Sequence, residues 1–379
     1  MSNSWQSYLA RWLSADLVNA ETAETIRAWE QEHGEERGRN RFAVIAFGFG
    51  GLLLMAGVLL FVASNWRELS PVARLILLTA AVGLFHVGGA FVSRSKPALG
   101  TTLHAVGTGA LGGGIFASGQ TFNLAVNWPE GFLLWAIGAA AGLYLLRDWP
   151  HVLFTATLVP LWLWSEFAKV AGFDEAFWIV RPAASFTVLL AIAYISAVSA
   201  TERSTWRKAL SGLGAAAFIP SAIVLGTLGA WDRAPANIES NSAVVIGAWV
   251  LAFSIPAGLA YLLRGKDAVW MTAALAWVLA IGQFNPRQDA QFLGLLALYA
   301  AGSVGIVLWG LRDRYRLLVN VGVVSFALSV LVFYFASTLF SKLGRSVGLI
   351  GAGLLFIGGG WFLERTRRTI LGKMDTETL

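Results

Sequence analysis

Gly100 to Asn123, GTTLHAVGTGALGGGIFASGQTFN, is long enough to cross a bilayer and contains no Asp, Glu, Lys or Arg. It carries seven glycines where a lipid-facing helix would carry Leu and Ile. Lipid offers no hydrophobic gain for bringing helices together, so small residues act by letting backbones approach closely. The stretch therefore has to be a helix pressed on by other helices, with Gly109 and Gly113 as a small-xxx-small packing step. Gln120 and Asn123 close it, and polar side chains at such depth face a bundle interior or a cavity.

The remainder of the chain repeats the theme. Twelve apolar runs of about the ~20 residues needed to cross the hydrocarbon core begin at Phe42. They lie near 42–64, 71–93, 99–122, 131–146, 150–168, 183–200, 208–229, 243–263, 268–284, 291–310, 317–337 and 346–363. The fourth and ninth are short, and the fifth is interrupted by Pro160 with Glu166 near its end. Only 13% of the residues are charged, against roughly a quarter in soluble proteins. The fold class is all-α: a polytopic membrane protein of about twelve transmembrane helices preceded by a short helix pair.

Placing the N-terminus in the cytoplasm puts 20 of the 28 Lys and Arg on the inner side, among them Arg94, Lys96, Arg147, Arg203, Arg207, Arg264, Arg312 and Arg314. Eight fall outside, among them Arg67, Arg74, Lys169 and Arg181. Both termini inside thus satisfies the positive-inside rule. The net charge of +6 belongs to these loops and not to a nucleic-acid surface. Zero Cys excludes disulfides and thiolate metal sites.

Ahead of the first span, Trp5, Tyr8, Leu9, Trp12 and Leu13 share one helical face. After a break near Leu17–Val18, Asn19 can cap a second helix. The domain reading is a cytoplasmic amphipathic pair at 1–40, a first six-helix half at 41–203, a second at 204–364 and a basic tail at 365–379. The halves echo one another: Gly119-Gln120-Thr121-Phe122-Asn123 returns as Gly282-Gln283-Phe284-Asn285, and Trp66 as Trp231. An even number of spans separates the copies, which fits parallel repeats about an axis along the membrane normal.

No phosphate loop, HExxH or other enzyme motif is present, and no cofactor or metal set is expected. Two groups of polar residues stand out. His86 and His104 lie on consecutive antiparallel spans about 10 Å from the inner face. Each can bond a backbone carbonyl of its own, or the two can meet as a pH-responsive or relay pair. Gln120, Asn123, Gln283 and Asn285 form an outer level that can line a shared polar vestibule or simply bridge helices.

ARWLSADLVNAETAETIRAWE, the first-span ending LLFVASNWRELSP and the third-span ending FASGQTFNL together resemble the bacterial family of predicted membrane proteins called domain of unknown function 2157. The resemblance covers about residues 5–150 and is most telling at Asn65-Trp66 and Gly119-Gln120. Thr121-Phe122 departs from it, since Ile-Tyr or Ile-Phe is usual there. It implies a bacterial inner-membrane location and no catalytic residues. Two functions fit: a transporter-like or flippase-like protein acting on a small molecule or lipid, or a scaffold that recruits a cytoplasmic or membrane partner through its helix pair.

Overall fold

The structure, a computed structural model, describes residues 11–29, 69–122, 128–199, 203–228, 242–284 and 289–336, with Leu9 and single residues within 46–64 and 350–365. Most of the first and twelfth expected spans, and Trp66, Asn123, Trp231 and Asn285, lie outside the described residues. The described residues contain helices and turns and no strand. Two compact units divide the chain at Val126 and Asn127.

In the first unit, the helix of residues 20–29 begins as the spacing predicts: the Asn19 side chain accepts from the Thr22 N–H at 2.8 Å. Leu9 and Ala23 are buried, while Trp12, Leu17 and Trp29 remain exposed. Helix α1 spans Pro71–Val92 and α2 spans Pro97–Thr121. Ser70 caps α1 by accepting from the Ala73 N–H at 3.2 Å, and a proline opens each helix where a missing N–H costs nothing. The two form a tight antiparallel hairpin. Gly100 packs against Ser93, Gly107 against His86 and Gly89 against His104.

The second unit contains α3 (Trp128–Leu146), α4 (Trp149–Ile195), α5 (Thr205–Leu228) and α6 (Ser242–Arg264). A short 3₁₀ turn, Gly265–Ala268, leads into α7 (Val269–Ile281), followed by α8 (Asp289–Arg312) and α9 (Arg316–Ala336). Six described segments are long and apolar enough to cross a membrane: α1, α3, α5, the α6–α7 run, and most of α8 and α9.

Helix α4 is continuous in hydrogen bonding over 47 residues, yet it doubles back on itself. The Tyr194 hydroxyl donates to the Ala156 carbonyl at 2.6 Å, and the Trp164 and Phe186 rings lie 5.4 Å apart. In a straight helix Ala156 and Tyr194 would be about 57 Å apart at 1.5 Å per residue. The two arms are therefore antiparallel, matching the expected spans 150–168 and 183–200, with the reversal between Trp164 and Phe186. The α6–α7 run also reverses, at the positive-φ Gly265, a conformation that glycine adopts without strain. Beyond it, Trp270 stacks on Trp309 and Trp277 reaches Leu298, so α7 runs antiparallel to α8.

The core of the second unit joins the C-terminal arm of α4 to α5, α6 and α7, and α8 and α9 complete the same apolar cluster. Val188, Leu189 and Ile195 are fully buried there, together with Phe218, Val278 and Leu318. Gly214 meets the backbone of Ala191 and Ile195, and Gly310 meets Val319, where a side chain would separate the helices.

Candidate functional site

His86 and His104 come together. Their Nδ1 atoms lie 3.1 Å apart with ring centroids 5.4 Å apart, so one ring donates and the other accepts. Each ring fills a notch made by a glycine three residues beyond the other histidine. A Cβ at Gly107 would stand 2.8 Å from His86 Cδ2, and one at Gly89 would stand 2.9 Å from His104 Cε1. This reciprocal arrangement follows from placing His-x-x-Gly on both arms of an antiparallel hairpin, His86/Gly89 and His104/Gly107. His104 is buried and His86 is partly so. The pair can hold a single proton between two nitrogens. Among the described residues, no cluster of three or more His, Cys, Asp or Glu could hold a metal.

Gln120 and Gln283 are both exposed at helix ends. Gln283 donates weakly to the Leu279 carbonyl at 3.4 Å. They belong to different units, and Asn123 and Asn285 lie outside the described residues. Gly109 is buried within α2 and Gly113 is half-buried.

The second unit contains a feature that the sequence reading missed: a cavity of about 420 Å³ between α5, α7, α8 and α9. That volume falls within the ~300–1,000 Å³ of small-ligand sites. Its walls are Phe218, Ala222, Trp277, Leu295 and Leu328, and its exposed margin includes Ile223, Thr227 and Val332. Among the described residues, no charged one lines it. The hydroxyls in its wall are mostly turned back onto helix carbonyls. Ser303 donates to Tyr299, Ser329 to Ser325, Thr227 to Val224, and Tyr299 to Ala222. Among the hydroxyls of the described lining residues, the buried Ser325 Oγ makes no hydrogen bond. Back-bonded hydroxyls offer little to a solute, which leaves the walls apolar in character. A smaller cavity of about 230 Å³ adjoins it, lined by Ile192, Trp270, Gly302 and Trp309 and sharing Phe218 and Trp277.

Two charged contacts also escaped the sequence reading. Arg264 pairs with Asp313 at 2.6 Å with both side chains largely buried, and the Trp309 indole N–H donates to the same carboxylate oxygen at 2.7 Å. Asp148 caps α4 and accepts from His151 Nδ1 at 2.5 Å, while the fully buried His151 ring fills the notch of Gly142. The Asp148-Trp149-Pro150-His151 order is a legible helix start, with an acidic cap and a proline in the first turn. The partnership of Arg264 with Asp313 has no such local signal.

Residues 10–152 match the family model described as predicted membrane protein (DUF2157), in agreement with the resemblance read from the sequence. The matched stretch includes α1, α2, α3, the histidine pair and Asp148/His151. No curated protein is significantly similar to the chain, and no solved structure is either.

Proposed function

We propose that this membrane protein takes an apolar lipid chain sideways from the bilayer into the second unit, in the manner of a flippase-like carrier. The observation that carries this reading is the 420 Å³ apolar cavity, whose margin at Ile223, Thr227 and Val332 lies on the exposed faces of α5 and α9. An empty apolar cavity leaves its lining without dispersion contacts on one side, and a lipid chain restores them. In this reading the chain crosses a bacterial inner membrane twelve times, with both termini cytoplasmic and two six-helix halves, and it performs no covalent chemistry.

A second reading, a scaffold that recruits a partner through the N-terminal helix pair, is favoured by the exposed Trp12, Leu17 and Trp29. Large apolar side chains grouped on one small element mark interaction surfaces more often than a folding core.

Reconstitution into liposomes with a fluorescent phospholipid separates the two, by following how fast inner-leaflet dye becomes accessible to an impermeant quencher. The wild type is expected to accelerate that exposure over protein-free liposomes. Ser329→Trp fills the cavity and should return the rate to the protein-free value. Val324→Trp, on an exposed position of the same helix, should not. A wild-type rate equal to that of empty liposomes overturns the carrier reading and leaves the scaffold.

A further inference from the structure

The two cavities of the second unit lie in series. The larger reaches toward Thr227, Phe292 and Val332, near the end of the unit where Arg181 donates to the Gly282 carbonyl. The smaller reaches toward Trp270 and Trp309, near the opposite end, where Arg264 pairs with Asp313. Phe218 and Trp277 line both. We propose that these two rings form a divider that sets the length of lipid chain the protein accepts: a chain enters the larger chamber and stops at Trp277. This rests on the lipid-chain reading given above and adds the residue that defines the substrate class.

The divider is built to stay closed. The Trp277 indole N–H donates to the Leu298 carbonyl at 2.7 Å, which fixes the ring plane. Phe218 stacks on one side of it with centroids 6.2 Å apart, and Tyr299 meets it edge-on at 5.8 Å. Tyr299 is itself tied to α5 through the Ala222 carbonyl. Gly302 is what lets the indole lie across the groove, since a Cβ there would stand 2.5 Å from Trp277 Cε2. Three rings, two hydrogen bonds and a glycine notch therefore hold one aromatic plate between two apolar spaces. A chain longer than the larger chamber must displace this plate or leave its own end outside.

Beyond the plate the path continues to be apolar, with Ala273, Ala274, Ala301 and Ile306 along the smaller chamber. Removing the plate would join about 420 Å³ to about 230 Å³. Such a change alters length preference without altering the chemistry of the entrance. The occupant is an acyl or isoprenoid chain of a bilayer lipid and not a polar solute, because no charged residue among the described ones lines either chamber.

The test uses the full chain in detergent, stripped of lipid and exposed to short-, medium- and long-chain phosphatidylglycerols in competition, with bound lipid read by native mass spectrometry. The wild type should favour the shorter chains. Trp277→Ala should swing the long-to-short binding ratio by about tenfold toward long chains, as expected when an overpacking penalty is relieved. Phe218→Ala should move it in the same direction, which covers the case in which Trp277→Ala fails to fold. In the unaltered protein, a lipid with a photoactivatable group at its chain end should cross-link to Phe218 or Trp277. Cross-linking to Trp270 or Trp309 in the wild type, or an unchanged length preference in both variants, overturns the divider while leaving lipid binding in place. Absence of bound lipid and of cross-links in either chamber overturns the lipid reading itself, as would occupation of the larger chamber by the chain's own twelfth expected span, detected as cross-links between the two.

Discussion

The glycine notches under the histidines turn a residue-scale question into a matter of a few ångströms. A Cβ at Gly107 would stand 2.8 Å from the His86 ring, closer than real Cβ contacts allow. Gly107→Val should therefore destabilise the hairpin by about 1–3 kcal/mol, the range for forcing extra carbon into a packed site. His86→Ala empties the space that the valine needs, so the double variant should lose less than the sum of the single losses. Thermal unfolding in detergent reads this coupling, expected at about 0.5–3 kcal/mol for residues in contact. Strictly additive losses would mean that the ring does not occupy the notch. The similar depth of the two histidines on consecutive spans was legible in the sequence, with their pairing one of two open readings. The notches were not. Gly109 and Gly113 stand out because their spacing is visible within one helix, whereas Gly107 and Gly89 matter because of a ring supplied by the other helix. Spacing within one segment cannot name its partner.

At the scale of the element, Pro160 made the fifth expected span look doubtful, and the structure supplies the compensation. Proline has no N–H, so the carbonyl four residues earlier, that of Ala156, loses its usual helical donor. The Tyr194 hydroxyl takes that place from the other arm of α4 at 2.6 Å. In an apolar surrounding this bond is what allows the helix to tolerate the proline. Tyr194→Phe should cost about 1–3 kcal/mol, because it leaves a buried carbonyl unsatisfied. Pro160→Ala restores the N–H, and in that background Tyr194→Phe should cost distinctly less. Equal costs in both backgrounds, measured by thermal unfolding, would show that the carbonyl is satisfied some other way. The two arms themselves were legible as separate apolar runs, since Lys169, Asp174, Glu175 and Arg181 interrupt them. The bond across 38 residues, like the Arg264–Asp313 pair across 49, depends on tertiary placement that no local pattern encodes. The cavity is less legible still, because it is space left between four helices and no residue announces it.

For the whole molecule, sidedness reduces to a single choice within the second unit. Arg203 donates to the Arg314 carbonyl at 3.1 Å, and Arg207 to the carbonyls of Ala197 and Leu263 at 2.8 and 2.9 Å. Arg264 completes the junction through Asp313. The loops that follow α4, α6 and α8 are thereby held at one end, while Arg181 and Gly282 meet at the other. Loops clasped together cannot lie on opposite faces of a bilayer, so all three are cytoplasmic or none is. The excess of Lys and Arg on these loops favours the cytoplasm. The chain has no cysteine, so single cysteines report without background. Ser204→Cys and Lys266→Cys, on two of the clasped loops, should both resist an impermeant thiol reagent in intact spheroplasts and react after permeabilisation. Ser70→Cys, before α1, should react from outside, and Thr376→Cys should not. Reaction of Ser204→Cys without Lys266→Cys would contradict the arginine junction itself. Reaction of both with silence at Ser70→Cys would invert the orientation and leave the junction standing. Strong external labelling of Thr376→Cys, with the other three as expected, would mean an odd number of crossings between α8 and the C-terminus, and with it the loss of the twelve-span count.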